Sequence, residues 1–63
     1  MDRTAIIEAL AAADLAIRHG KPLALSERAS AVAALGAVKD MPAAERIAIH
    51  EEVKATAAIC AGA

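Results

Sequence analysis

The stretch HGKPLALSERASAVAALGAVKDMP, residues 19–42, holds both points at which the chain must stop being helical. The residues on either side are rich in strong helix formers, chiefly alanine, leucine, glutamate and arginine. Gly20 can adopt the left-handed conformation that ends a helix, and Pro22 blocks continuation because it forces Lys21 out of the α region. Asp40-Met41-Pro42 is the second boundary. The sequence predicts an all-α chain with helices at about residues 4–19, 26–39 and 42–61.

The first two helices have more than one candidate start. Asp2 or Thr4 can cap the first helix, since both side chains accept hydrogen bonds from free backbone N–H groups. The second helix begins either with Pro22 as its first residue or with Ser26 as its cap. We favour Ser26, because Glu27 then lies in the positively polarised first turn.

The third helix begins at the proline boundary. Either Asp40 or Met41 caps it, Pro42 lies in its first turn, and Glu45 suits its positive end. Gly62 is a plausible stop, which places the last helical residue near Ala61.

The outer helices each carry one narrow apolar stripe, as the spacing of three and four residues indicates. The stripe of the first helix is Ile6, Leu10, Ala13 and Ile17, and that of the third is Ile49, Val53, Thr56 and Cys60. The middle helix has two apolar faces, Ala31–Leu35–Val38 and Leu25–Ala29–Val32–Gly36. Because this arc needs neighbours on more than one side, we predict that the second helix is central. The fold class is a small three-helix bundle, or a helical hairpin with an extra helix.

Gly36 suggests a close contact with another backbone. A glycine in a helix interior costs about 1 kcal/mol relative to alanine, so something should offset it. Ala29, Ala33 and Gly36 form a flat strip that fits either another helix of the same chain or its own two-fold mate. We favour the two-fold dimer, and we predict an interaction face made of Leu25, Ala29, Val32 and Gly36.

Length and composition also favour association. A chain of 63 residues forms one small domain and buries only about 60% of its unfolded surface. Twenty residues are alanine and there is no aromatic residue, so the core is thin and oligomerisation is the expected remedy. One cysteine and no signal-like start favour a cytoplasmic setting, and no apolar run is long enough to span a membrane.

The sequence offers no catalytic, cofactor or metal motif. Cys60 lies on an apolar stripe and is expected to be a small buried hydrophobe. His50 precedes Glu51-Glu52, but no second histidine or glutamate stands at a metal-binding spacing from it. We therefore expect no enzyme, no cofactor and no bound metal.

The predicted function is a non-enzymatic protein–protein interaction module. It would be a homodimer, or a small accessory or regulatory subunit of a larger complex, with itself or a larger protein as partner. The lack of Asn, Gln and aromatic residues suggests a GC-rich bacterial or phage genome. One alternative is a small DNA-binding regulator, which is disfavoured because seven Lys and Arg are spread along the chain without aromatics for base stacking. A third is a thiol or metal sensor built on Cys60 and the histidines.

Overall fold

The chain folds into three packed helices, as a computed structural model that describes residues 1–62 shows. The helices are α1 (Arg3–His19), α2 (Leu25–Lys39) and α3 (Ala43–Gly62). The predicted all-α three-helix fold is confirmed, and each helix begins and ends within one residue of the predicted bounds. Ala63 lies outside the described residues.

Local hydrogen bonds fix both ends of α1. The Asp2 carboxylate accepts the N–H of Ala5 at 2.7 Å, so Asp2 rather than Thr4 is the cap. At the other end Gly20 adopts φ 63° and ψ 27°, the left-handed conformation predicted for it. Its N–H donates to the carbonyl of Ile17 at 3.2 Å, and the N–H of Lys21 donates to that of Ala16 at 2.9 Å. These two bonds form a Schellman motif, which satisfies the last carbonyls of the helix.

The preferred start of α2 is wrong. Ala24, not Ser26, occupies the N-cap position, and Ser26 lies exposed in the first turn. Alanine has no side-chain acceptor, so the end is satisfied from inside the helix, where the Glu27 carboxylate accepts the N–H of Ala24 at 3.1 Å. This is the glutamate half of a capping box. Pro22 also lies outside α2.

The start of α3 also differs from its prediction. Pro42 immediately precedes the helix rather than lying in its first turn, and its carbonyl accepts the N–H of Arg46 at 3.0 Å. Asp40 does not cap α3 because it belongs to the end of α2, with φ −88° and ψ 0°. Glu45 does lie in the first turn. The helix continues through Gly62, one residue beyond the predicted end.

The central helix is α1, and the prediction that α2 is central is wrong. Both α2 and α3 pack along α1, whereas they scarcely touch each other. The reason lies in α1, where alanines flank the aliphatic stripe and let a neighbour approach on either side. On α2, in contrast, Val38 packs against the core, whereas Leu25, Val32 and Leu35 remain exposed.

The core is correspondingly small. Ile6 of α1 packs with Ala34 of α2 and with Ile49 and Val53 of α3. Ile6 is only 2% exposed and is the largest of the fully buried side chains. Most other buried positions are alanines, so little apolar volume stabilises the monomer.

We expect Ile6→Val to lower the free energy of unfolding by about 0.5–1.5 kcal/mol, because one buried methylene is lost and a small cavity remains. Ile47→Val makes the same chemical change at a 64% exposed position and should stay within about 0.5 kcal/mol of the parent. Urea titration followed by circular dichroism measures both. Equal losses in the two variants would contradict this account of the core.

Candidate protein–protein interface

An open groove runs between α2 and α3, because these helices scarcely touch. We call it the central groove. Its cavity volume is about 370 Å³, and its floor is α1. The residues that line it are Leu10, Ala13, Asp14 and Ile17 on α1, Ala31, Leu35 and Val38 on α2, and Arg46, Ile49, His50 and Val53 on α3. The groove is therefore mainly aliphatic, with polar groups at its edges.

The groove leaves the C-terminal end of the predicted α1 stripe exposed. Ile6 is buried, Leu10 and Ala13 are half-buried, and Ile17 is 78% exposed. Across the groove, Leu35 of α2 is 59% exposed. The stripe thus begins in the core and ends as an uncovered surface.

The predicted interaction face lies on the outer side of α2. Leu25 is 82% and Val32 65% exposed, and Ala29 and Gly36 are exposed beside them. These four residues, called the α2 outer face from here on, lie opposite the fully buried Ala34. A Cβ atom placed on Gly36 would meet no heavy atom within 4 Å. The option that Gly36 packs against another helix of the same chain is therefore wrong.

The whole chain exposes more surface than a monomer of its size normally does. Its accessible surface is 4284 Å². The usual scaling for a 6.4 kDa folded monomer gives about 3,800 Å². The difference of roughly 500 Å² reflects the open groove and the large aliphatic side chains that remain exposed.

Basic side chains surround the central groove. On α3, Arg46, His50 and Lys54 are spaced four residues apart, so they share one side of the helix. On α2, Arg28 and Lys39 stand at helical spacing from both Leu35 and Val32, so they lie along the ridge between the groove and the α2 outer face.

The floor of the groove adds one ion pair. The Asp14 carboxylate accepts a hydrogen bond from Arg18 at 3.2 Å, and the two side chains are partly exposed. Among the described residues, Asp14 is the only carboxylate that lines the groove. With Asp14 paired to Arg18, the remaining Lys and Arg beside the groove are Arg46, which lines it, and Arg28, Lys39 and Lys54, which lie near its edges.

The other carboxylates lie elsewhere on the bundle. Glu8 and Glu27 line a hollow between α1 and α2. Glu52 accepts a hydrogen bond from Arg3 at 2.6 Å on the far side of α3. This bond and the charge of Glu52 raise the pKa of the Arg3 guanidinium, with a smaller contribution from Glu45. Glu51 is the exception, because it lines a hollow on α3 together with Arg46 and His50.

Cys60 is exposed, and the prediction that it is buried is wrong. The stripe on α3 stays covered as far as the fully buried Ala57, and three residues later Cys60 lies at the surface. It lines a hollow with His19 and Lys21 from the end of α1.

We expect the Cys60 thiol to react with a soluble disulfide reagent almost as fast in the native protein as in urea. The reason is that no packing has to open before the reagent reaches the sulfur. The measurement is the rate of thiol release under both conditions. Strong protection that disappears only on unfolding would show that the thiol is buried.

Two other kinds of site are absent from the part of the chain that the structure describes. No three His, Cys, Asp or Glu side chains there form a group that could hold a metal ion. None of its helices combines the length and the apolar character that crossing a membrane requires.

No protein-family model, curated protein or solved structure matches the chain. Function must therefore be inferred from its two exposed apolar surfaces and from the distribution of charge around them.

The two internal glycines should respond to alanine in opposite ways. Gly20→Ala is expected to destabilise the fold by about 1–2 kcal/mol, because an L-residue is strained at positive φ. Gly36→Ala should stabilise the helix by about 1 kcal/mol, because the site is open and alanine is the better helix former. Thermal unfolding of dilute, monomeric samples measures both effects. A loss of stability in Gly36→Ala would mean that its Cβ meets an atom of the folded monomer.

Proposed function

We propose that the protein is a non-enzymatic interaction module that forms a homodimer through the α2 outer face. The observation that carries this proposal is the exposure of Leu25 and Val32 on a helix face that includes no charged residue. Exposed apolar patches of this kind on small domains commonly mark association sites.

A second copy of the chain suits the α2 outer face. In a two-fold dimer each residue meets the same surface on its mate, so a self-matching face must avoid opposed like charges. Leu25, Ala29, Val32 and Gly36 satisfy this requirement, and the small residues allow two backbones to approach closely. The face extends over about 16 Å of helix, from Leu25 to Gly36.

The flanking charges favour an antiparallel pair. About a midpoint between Val32 and Ala33, Ala29 of one chain lies opposite Gly36 of the other. Arg28 then lies opposite Ala37 and Lys39 opposite Ser26, so the cationic side chains do not face each other. A parallel pair would set each of these charges beside its own copy, which is unfavourable.

The exposed area is consistent with an interface of ordinary size. A standard complex buries about 800 Å² on each partner. The chain exposes roughly 500 Å² more than a typical monomer of its mass, and the α2 outer face supplies one part of that excess beside the central groove. Association would thus bring the surface per chain toward the value expected for its mass.

We expect Gly36→Leu to abolish dimer formation, because a branched side chain would hold the two helices apart. Helicity of the separated chains should change little, since the site is open in the monomer. Ala58→Leu is the control, because it introduces the same leucine side chain at an exposed position of α3.

Sedimentation equilibrium over a range of concentrations gives the mass of each variant, and circular dichroism gives its helicity. A parent that stays monomeric throughout would refute the dimer. A Gly36→Leu variant with the parent's dimer constant would instead show that the chains associate through a different surface.

A further inference from the structure

We infer that the central groove binds an amphipathic α-helix with acidic flanks from a different protein. Leu35 lines the groove, and the α2 outer face lies further around the same helix. This inference therefore does not depend on the proposed dimer. It would give the chain a second partner and the role of an accessory subunit.

The shape of the groove fits a helix. α2 and α3 both rest on α1 and leave the space above Ile17 uncovered, which is where a fourth helix would complete a bundle. From Leu10 to Ile17 the floor is about 10 Å long, or two helical turns. A helix that presents apolar residues three and four positions apart can cover Ile17 and Leu35 together.

The charges around the groove determine which side chains should flank the apolar stripe of the bound helix. Arg28 and Lys39 stand along one edge and Arg46 and Lys54 along the other, while Asp14 is paired with Arg18. Glutamate or aspartate beside the apolar stripe of a ligand helix would meet these cations. Such complementarity speeds association and excludes partners with basic flanks.

A second copy of this chain does not suit the groove. A two-fold contact between grooves would bring Arg46 and Lys54 against basic groups of the same surface, and like charges across an interface are costly. A head-to-tail contact of another surface with the groove would repeat from chain to chain and build a ring or an open filament instead of the two-fold dimer proposed above. The occupant is therefore a different protein.

The aliphatic floor distinguishes a helix from other anionic partners. A nucleic acid would satisfy the basic groups but leave Ile17 and Leu35 with only sugars and phosphates to contact. The chain has no aromatic side chain on which a base could stack. An amphipathic helix with acidic flanks can cover the aliphatic floor with its apolar side chains and pair its carboxylates with the basic groups at the edges.

The test uses a dye-labelled helical peptide that carries leucines at three- and four-residue spacing, with glutamates beside them and alanines behind. The control peptide has the same sequence with lysine in place of every glutamate. We expect the acidic peptide to bind, by fluorescence anisotropy, with an affinity that falls as salt rises. Binding of the basic peptide should be at least about tenfold weaker.

Variants of the groove locate the site. Ile17→Ser and the double variant Arg46→Glu/Lys54→Glu should each weaken binding of the acidic peptide by about tenfold or more. Ile59→Ser and Lys21→Glu are the matched controls, since Ile59 is as exposed as Ile17 and neither residue lines the groove. All five substituted positions are exposed, so circular dichroism should confirm that the fold is retained.

Gly36→Leu should bind the acidic peptide as the parent does, which separates this inference from the dimer. Equal binding of both peptides, or unchanged binding in Ile17→Ser, would overturn the inference. Duplex DNA or anionic phospholipid vesicles that displace the acidic peptide, and that bind less well to the double variant, would overturn it in favour of those partners.

Discussion

The fold depends on one constraint, which is that α1 must be covered on two sides at once. Ile6 is the point where this happens, because Ala34 from α2 and Ile49 and Val53 from α3 all pack in the same cluster with it. Without either neighbour, the largest fully buried side chain would face water. α2 and α3 make few contacts with each other that could compensate.

The same constraint explains why so much apolar surface remains exposed. Alanine lets two helices approach α1 closely, but it contributes little buried area of its own. The larger aliphatics then fall outside the contact, as Ile17 and Leu35 do in the central groove and Leu25 and Val32 do on the α2 outer face. The exposed surfaces are thus a direct result of how the core is built.

Features governed by local chemistry could be predicted from the sequence. Gly20 and Pro22 end α1 through backbone conformation alone, so three helices and their approximate bounds followed from neighbouring residues. The α2 cap was missed because Ala24 has no capping side chain, and the one local side-chain bond at this end is that of Glu27 with the N–H of Ala24. A glutamate three residues after a candidate cap was the available signal.

Features that depend on tertiary packing could not be predicted in the same way. A broad apolar arc on α2 shows that the helix needs neighbours but does not say which helix supplies them, so α2 was wrongly placed at the centre. Cys60 belongs to a real stripe, yet periodicity cannot show where along α3 the covering helix ends. The line of Arg46, His50 and Lys54 is visible in the sequence, whereas its position across from Arg28 and Lys39 is not.

Symmetry gives the two exposed surfaces different uses. A two-fold axis places each surface against the same surface of the second chain. Such a contact tolerates apolar and small residues but is destabilised by any patch of one charge. The α2 outer face meets that condition, and the central groove violates it because basic groups occupy both edges. A groove with this charge pattern is suited only to a partner that differs from it. We therefore propose that the chain binds a second copy of itself on one side of α2 and a different protein on the other, with Arg28 and Lys39 flanking both contacts.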